Sequence, residues 1–228
     1  LNVVFTSLCE FFFLSRLFFF KMHMGVYPLI EIYLFVNPLG KNCAEAEKLL
    51  IDFTSTRSEK IDLTIIPLIN QRMITATFEQ QTIDLETRNH YFRLAYTIAL
   101  DFKAAQIQGK KGARQFLLAL QHQLLNEGIP YSESLIKQLF LQTGGDYAMF
   151  KEDRHSALIK DLFLKDQRTA RDFHVYKQTS AVIYNCYREE DGLLLEGLDL
   201  IQEVIDLQRC APRTPSLLQP LKMNKAYN

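Results

Sequence analysis

The sequence predicts an α/β fold in which a block of helices separates the two halves of a single sheet. Three observations carry this. The first is an apolar strand pattern that runs straight into a helix and then a second strand. The second is a middle section whose apolar residues recur at three- and four-residue steps. The third is a return of strand character, with a hairpin signal, just before a last amphipathic helix.

Ile30 to Val36 is an apolar, β-branched and aromatic run, interrupted only by Glu31, and reads as a buried strand. Asn37-Pro38 ends it, and Cys43, Ala46, Leu49, Leu50 and Phe53 follow at helical spacing. Lys60 to Pro67 reads as the second strand, stopped by its proline. Asn70 to Gln81 is polar and predicts a loop. Asp84 is a helix cap, after which Tyr91, Leu94, Ala95, Ile98, Phe102 and Ala105 form one face. Gly109-Lys110-Lys111-Gly112 predicts a break and an exposed turn through Arg114. Phe116, Leu117, Leu120, Leu124 and Leu125 mark a further helix that ends at Gly128.

Ser132 or Ser134 caps a short helix running to Phe140. Asp146 to Phe173 predicts one long or broken helix, burying Met149, Phe150, Leu158, Ile159, Leu162 and Phe163. Ala181 to Tyr184 is strand-like, Asp191-Gly192 is a hairpin turn, and Leu193 to Leu195 is the second arm. Asp199 to Arg209 closes the pattern, with Leu200, Val204, Ile205 and Leu207 on its apolar side. The tail from Ala211 holds three prolines and reads as a linker or flexible end.

With 228 residues, 48% of them hydrophobic, the chain can bury a sizeable core. A net charge of zero gives no electrostatic case for nucleic acid or an anionic membrane as partner. Cysteines at 9, 43, 186 and 210 show no Cys-x-x-Cys and no ligand spacing with histidine, which favours a reducing, cytoplasmic setting and no metal. Residues 1–24 form an apolar extension, rich in phenylalanine but interrupted by Glu10 and Arg16. Its charge-free span is too short for a bilayer, so the domain proper is expected to begin near Met22 or Met24. The rival reading is a membrane-associating tail.

The chemistry-bearing stretch is Pro38-Leu39-Gly40-Lys41-Asn42-Cys43, between the first strand and its helix. Thioredoxin-like oxidoreductases present Pro-x-Cys-x-x-Cys at such a junction, where the helix start stabilises the first thiolate. Here Gly40 stands at the attacking position and only the resolving Cys43 keeps its sulfur. Dithiol exchange needs both. Cys43 alone reads as a small buried hydrophobe in the first helical turns, with Lys41 a weak candidate for lowering its pKa.

Strand–helix–strand, a helical block and then hairpin–helix is the thioredoxin order with a DsbA-like insertion. The expected layout is a domain at 25–210, its thioredoxin core at 28–83 and 172–210, a helical insertion at 84–171, and a tail at 211–228. In residues, the chain resembles the SpxH (YjbH) adaptors, a DsbA-like family that helps ClpXP degrade the transcription factor Spx. The resemblance rests on Ile30–Leu39, on Lys103-Ala104-Ala105-Gln106 through Gly109-Lys110-Lys111 and Phe116, on Phe150–Ser156, and on Asp166-Gln167-Arg168-Thr169-Ala170. It implies a non-catalytic adaptor with no cofactor, whose partners are an Spx-type transcription factor and ClpX/ClpP.

Relatives often keep a cysteine where Gly40 stands, and oxidoreductases of this fold carry a cis-proline where Ser180 stands. Gly40, Cys43 and Ser180 are therefore read as a degenerate redox site. A non-proline cis bond costs about 2.5–4 kcal/mol, so Thr179–Ser180 is expected to be trans. The alternatives are a DsbA-family thiol–disulfide oxidoreductase or isomerase and a kappa-type glutathione-linked enzyme. The latter implies a serine near the first turn, and residues 37–42 hold none. Expected partner contacts are Asn37, Leu39 and Lys41 at the old active-site face, together with Thr179 to Ala181, and Lys110, Lys111 and Arg114 at the basic turn.

Overall fold

A computed structural model describes residues 30–57, 60–78, 83–185 and 192–210. Its elements run β1 (Ile30–Val36), α1 (Lys41–Ser55), β2 (Ile61–Pro67), α2 (Gln71–Thr77), α3 (Leu85–Ile107) and α4 (Lys110–Leu125). They continue with α5 (Glu133–Gln142), α6 (Tyr147–Asp153), α7 (Ala157–Asp172), β3 (Ser180–Asn185), β4 (Leu193–Glu196) and α8 (Leu198–Cys210). The strands form one sheet in the order β2-β1-β3-β4. β1 and β2 are parallel, with Val36 opposite Pro67; β1 and β3 are antiparallel, with Phe35 opposite Ser180. β4 pairs antiparallel with β3. This is the thioredoxin-like, DsbA-like architecture the sequence predicts, with α3 to α7 between the two halves of the sheet.

β1 is central, and both its faces are covered, which is why its sequence is a nearly continuous apolar run. Ile30, Ile32 and Leu34 enter the main core with Cys43, Ala46 and Leu50 of α1 and Ile201 and Ile205 of α8. Phe35 enters a smaller core on the opposite face, with Ile66, Leu68, Ala170, Val175 and Val182.

Polar side chains fasten the helical block to the sheet at β2. Lys103 of α3 pairs with Asp166 of α7 at 2.8 Å. The Gln106 amide donates to the Ile65 carbonyl at 3.3 Å. Gln167 works in both directions, donating to the Pro67 carbonyl at 2.7 Å and accepting from Ile69 N–H at 3.1 Å. These bonds satisfy backbone groups where the β1–β2 ladder runs out.

Arg154 is a second fastener. It is 3% exposed. Its Nε donates to Asp101 at 2.7 Å, Nη1 to Glu133 at 2.7 Å and Nη2 to the Tyr131 hydroxyl at 2.6 Å. The Tyr131 hydroxyl in turn donates to Asp101, itself 1% exposed, at 2.6 Å. One guanidinium thus ties α3 to α5 and to the segment between α4 and α5.

Several expectations are corrected. Asn70 to Gln81 is not simply a loop: α2 forms within it, because Asn70 Oδ1 caps Met73 N–H at 2.8 Å and Met73 and Ile74 are buried. The basic cluster is no exposed turn, because the break falls at Gly109 (φ 141°) and Lys110 already starts α4. Of the two forms expected for 146–173, one long helix or a broken one, the broken form is found, its second part capped by Ser156. Met149 and Leu158 face outward while their neighbours Phe150 and Ile159 take the buried places. Likewise Leu200 and Leu207 of α8 are exposed and Ile201 is buried. The expectations for residues 1–24, Cys9, Cys186, Asp191 and the tail at 211–228 lie outside the described residues.

Replacing Arg154 by Met leaves Asp101 buried without its cation. Urea unfolding is expected to show a loss of about 3–5 kcal/mol. Glu133→Gln, at the half-exposed end of the cluster, is expected to cost less than about 1 kcal/mol. Equal effects of the two substitutions would contradict this account.

Candidate functional site

The site begins with Asn37, the residue that ends β1. It is completely buried and all its polar groups act inward. Its Oδ1 accepts from Leu39 N–H at 3.0 Å and its carbonyl accepts from Gly40 N–H at 2.9 Å, which folds the Asn-Pro-Leu-Gly turn. Its Nδ2 donates to the Tyr91 hydroxyl of α3 at 2.7 Å, and its N–H donates to the Cys43 sulfur at 3.2 Å. Asn37 is therefore a turn-builder and not the partner contact the sequence suggests.

Cys43 is the third residue of α1 and is 1% exposed. Its Sγ lies 3.0 Å from the Thr179 hydroxyl. A helix start ordinarily lowers a thiol pKa. Here burial wins and pushes the Cys43 thiol up to about 11, although the bonds to Thr179 and Asn37 work against the shift. Lys41 is exposed and does not reverse this. The thiol stays protonated at neutral pH, the state least suited to nucleophilic attack.

Thr179, not Ser180, meets the sulfur. It has a φ of 55°, uncommon for a β-branched residue, and its carbonyl accepts from Gly197 N–H at 2.7 Å. Ser180 begins β3 in a trans chain, and its hydroxyl donates to the Lys177 carbonyl at 3.0 Å. Thr179, Ser180 and Ala181 are all buried, so this stretch offers no surface. Tyr176 and Lys177 form the rim in its place.

Gly40 is extended (φ −94°, ψ 122°), a conformation open to any residue. What is tight is the space: a Cβ there would stand 3.0 Å from Cys43 Sγ. In a disulfide each Cβ lies about 3 Å from the partner sulfur, given an S–S bond of about 2.0 Å. A Cβ at position 40 would thus stand at the distance from the Cys43 sulfur that a disulfide sets.

A cleft of about 500 Å³ opens above this turn. Lys41, Arg72 and Lys177 line it, and among the described residues no carboxylate does. Arg72 lies over the Tyr176 ring at 5.2 Å, and Lys177 reaches Glu196 at 3.1 Å. Leu39, partly exposed, adds an apolar floor. The other expected contacts, Lys110, Lys111 and Arg114, lie on α4, outside the cleft. Lys110 is held by Asp62 at 3.0 Å, Arg114 is half-buried, and Lys111 is exposed.

One group behind the site escaped the sequence reading. Glu47, one turn after Cys43, is fully buried and accepts from the Gln121 amide at 2.9 Å. Its other oxygen has no hydrogen-bond partner among the described residues. Burial raises its carboxyl from the ordinary 4.5 to about 8. The helical step from Cys43 through Ala46 to Leu50 already places position 47 on the buried face.

Because its folded pKa is raised, Glu47 contributes stability that is complete below pH about 4.5 and lost as pH rises through about 8. Urea unfolding across that window is expected to show this decline, and Glu47→Gln is expected to flatten it; an unchanged slope would refute a protonated Glu47. A second substitution tests the turn. Gly40→Cys is expected to form a disulfide with Cys43 on mild oxidation, read by peptide mass. Two thiols that stay free would show that the redox geometry has been lost.

The comparisons with known proteins agree with this architecture. A protein-family model described as Thioredoxin matches residues 33–205. The ClpXP adapter protein SpxH of Staphylococcus saprophyticus is 30% identical over 169 residues, 74% of this chain and 61% of that protein. Its counterpart in Staphylococcus epidermidis is 28% identical, over 74% of this chain and 60% of that protein. The chain thus spans about three fifths of the length of these relatives. Among solved structures, a Nitrosomonas europaea protein provisionally named a disulfide isomerase superposes with a TM-score of 0.57 at 11% identity, covering 80% of this chain and 99% of that one. The oxidoreductase DsbA from Xylella fastidiosa gives 0.52 at 12%, covering 82% and 90%. With a family match that takes in both halves of the sheet and the helices between them, this chain belongs to the thioredoxin family.

Proposed function

We propose that the chain is a non-catalytic adaptor that brings an Spx-type transcription factor to the ClpXP protease in the cytoplasm. One observation carries the reading: the attacking position is Gly40, and the surviving Cys43 thiol is buried and held protonated. The names of its relatives, ClpXP adapter proteins, point the same way. An adaptor raises the effective concentration of two partners and needs surfaces, not a titrating nucleophile, cofactor or metal. Among the described residues no helix is long and apolar enough to cross a membrane. The layout of a thioredoxin core at 28–83 and 172–210 around a helical insertion at 84–171 belongs to the same proposal.

The cleft is the first candidate surface. Its cationic lining suits a client segment that carries carboxylates, with Leu39 and Lys41 as the contacts that remain once Asn37 is removed. Lys111 remains available on α4. A working thiol–disulfide enzyme is the second reading, favoured by the disulfide-ready spacing at Gly40. It lacks the second sulfur for turnover.

The test is degradation of a purified Spx-type protein by ClpXP, with and without this chain, beside an insulin-reduction assay. Accelerated degradation without reductase activity is expected, and Cys43→Ser is expected to leave the acceleration within about twofold. Turnover abolished by Cys43→Ser would favour the enzyme reading. No acceleration by the unmodified chain, with all components active, would remove the adaptor reading.

A further inference from the structure

An adaptor needs a second surface apart from the cleft, and α7 offers one. The C-terminal part of α7 covers the second face of the sheet through Ala170. Its outer side is centred on Leu164, which is 48% exposed. At 3.6 residues per turn, Lys160, Arg168 and Arg171 lie within about half a right angle of Leu164 around the helix axis. All three are exposed, and none of their side chains has an ion-pair or hydrogen-bond partner among the described residues.

The spacing explains why they stay unpaired. Lys160 and Arg171 have no acidic residue three or four positions away on the helix, and Asp172, four after Arg168, makes no ion pair with it. Asp161 stands at the edge of the face. Arg168 also belongs to the Asp166-Gln167-Arg168 stretch. Its two neighbours are consumed by Lys103 and by the end of β2, and the fold makes no use of Arg168.

We infer that this face of α7, with Leu164 ringed by Lys160, Arg168 and Arg171, is a docking surface for an acidic protein partner that offers an apolar spot within a ring of carboxylates. A half-exposed leucine among free cations fits that complement, because the leucine gains by leaving water and the cations gain by meeting carboxylates. The overall neutral chain has no broad basic field that would draw it to a polyanion. The inference rests on the adaptor reading, since it assigns the surface to one of that adaptor's two partners.

The experiment measures binding of the full chain to a purified Spx-type protein, to ClpX and to anionic phospholipid vesicles, each at low and moderate salt. It compares the unmodified chain with K160E/R168E/R171E and, separately, Leu164→Gln. Affinity for one of the two partners is expected to fall about tenfold or more in the triple variant, with the loss shrinking as salt rises. Leu164→Gln is expected to weaken the same partner without a change in salt dependence, and it serves alone if the triple variant does not fold. Unchanged affinities for both partners in Leu164→Gln and in a folded triple variant would overturn the surface while leaving the adaptor reading intact. Loss of binding only to anionic phospholipid vesicles would also overturn it, in favour of a membrane contact. An unmodified chain that binds neither partner would remove the adaptor reading and the surface together.

Discussion

The Cys43 sulfur sits where three parts of the chain meet: the end of β1, the first turn of α1 and the segment that leads into β3. It accepts from Asn37 N–H and lies against the Thr179 hydroxyl, so it fixes how α1 leaves the sheet and where β3 begins. Asn37 extends the same knot outward to Tyr91 on α3. The sulfur that would resolve a mixed disulfide in a two-cysteine site serves here as a packing and hydrogen-bonding centre. Its raised pKa is a consequence of that use.

The stretches that carry the family resemblance do mostly structural work in this chain. Gln106 and Gln167 join the helical block to β2, Lys103 and Asp166 join α3 to α7, and Arg154 joins α3 to α5. A helical insertion shares no backbone ladder with the sheet beside it. Side-chain bonds to the C-terminal part of β2 supply the register that a ladder would otherwise give. Residues that the fold does not consume in this way, such as Lys111 and Arg168, stay exposed.

Much of the architecture was legible in the sequence because it follows hydrophobic periodicity. β1, β2, the long faces of α3 and α4 and the final helix all announce themselves that way. Periodicity failed where a neighbouring residue competed for the same place: Phe150 over Met149, Ile159 over Leu158 and Ile201 over Leu200. It also failed for α2, a seven-residue helix whose apolar content is two residues. At the site, the missing attacker at Gly40 was readable directly. Thr179 and Arg154 were not, because their meaning depends on contacts with Cys43 and Asp101, far away in sequence. Asn37 was read as a partner contact because it stands on the old active-site face, and its burial depends on bonds to Cys43 and Tyr91 that no local pattern announces.

The most direct test of the central claim, that the surviving thiol is sealed into the fold and the chain works through its surfaces, is the pH dependence of Cys43 alkylation in the folded protein, resolved from the other cysteines by peptide mapping. The account predicts alkylation that stays slow across the neutral range, rises only towards pH 11, and accelerates strongly on unfolding in urea. Rapid modification of Cys43 in the folded chain at neutral pH, with a midpoint below that of a free thiol, would contradict it.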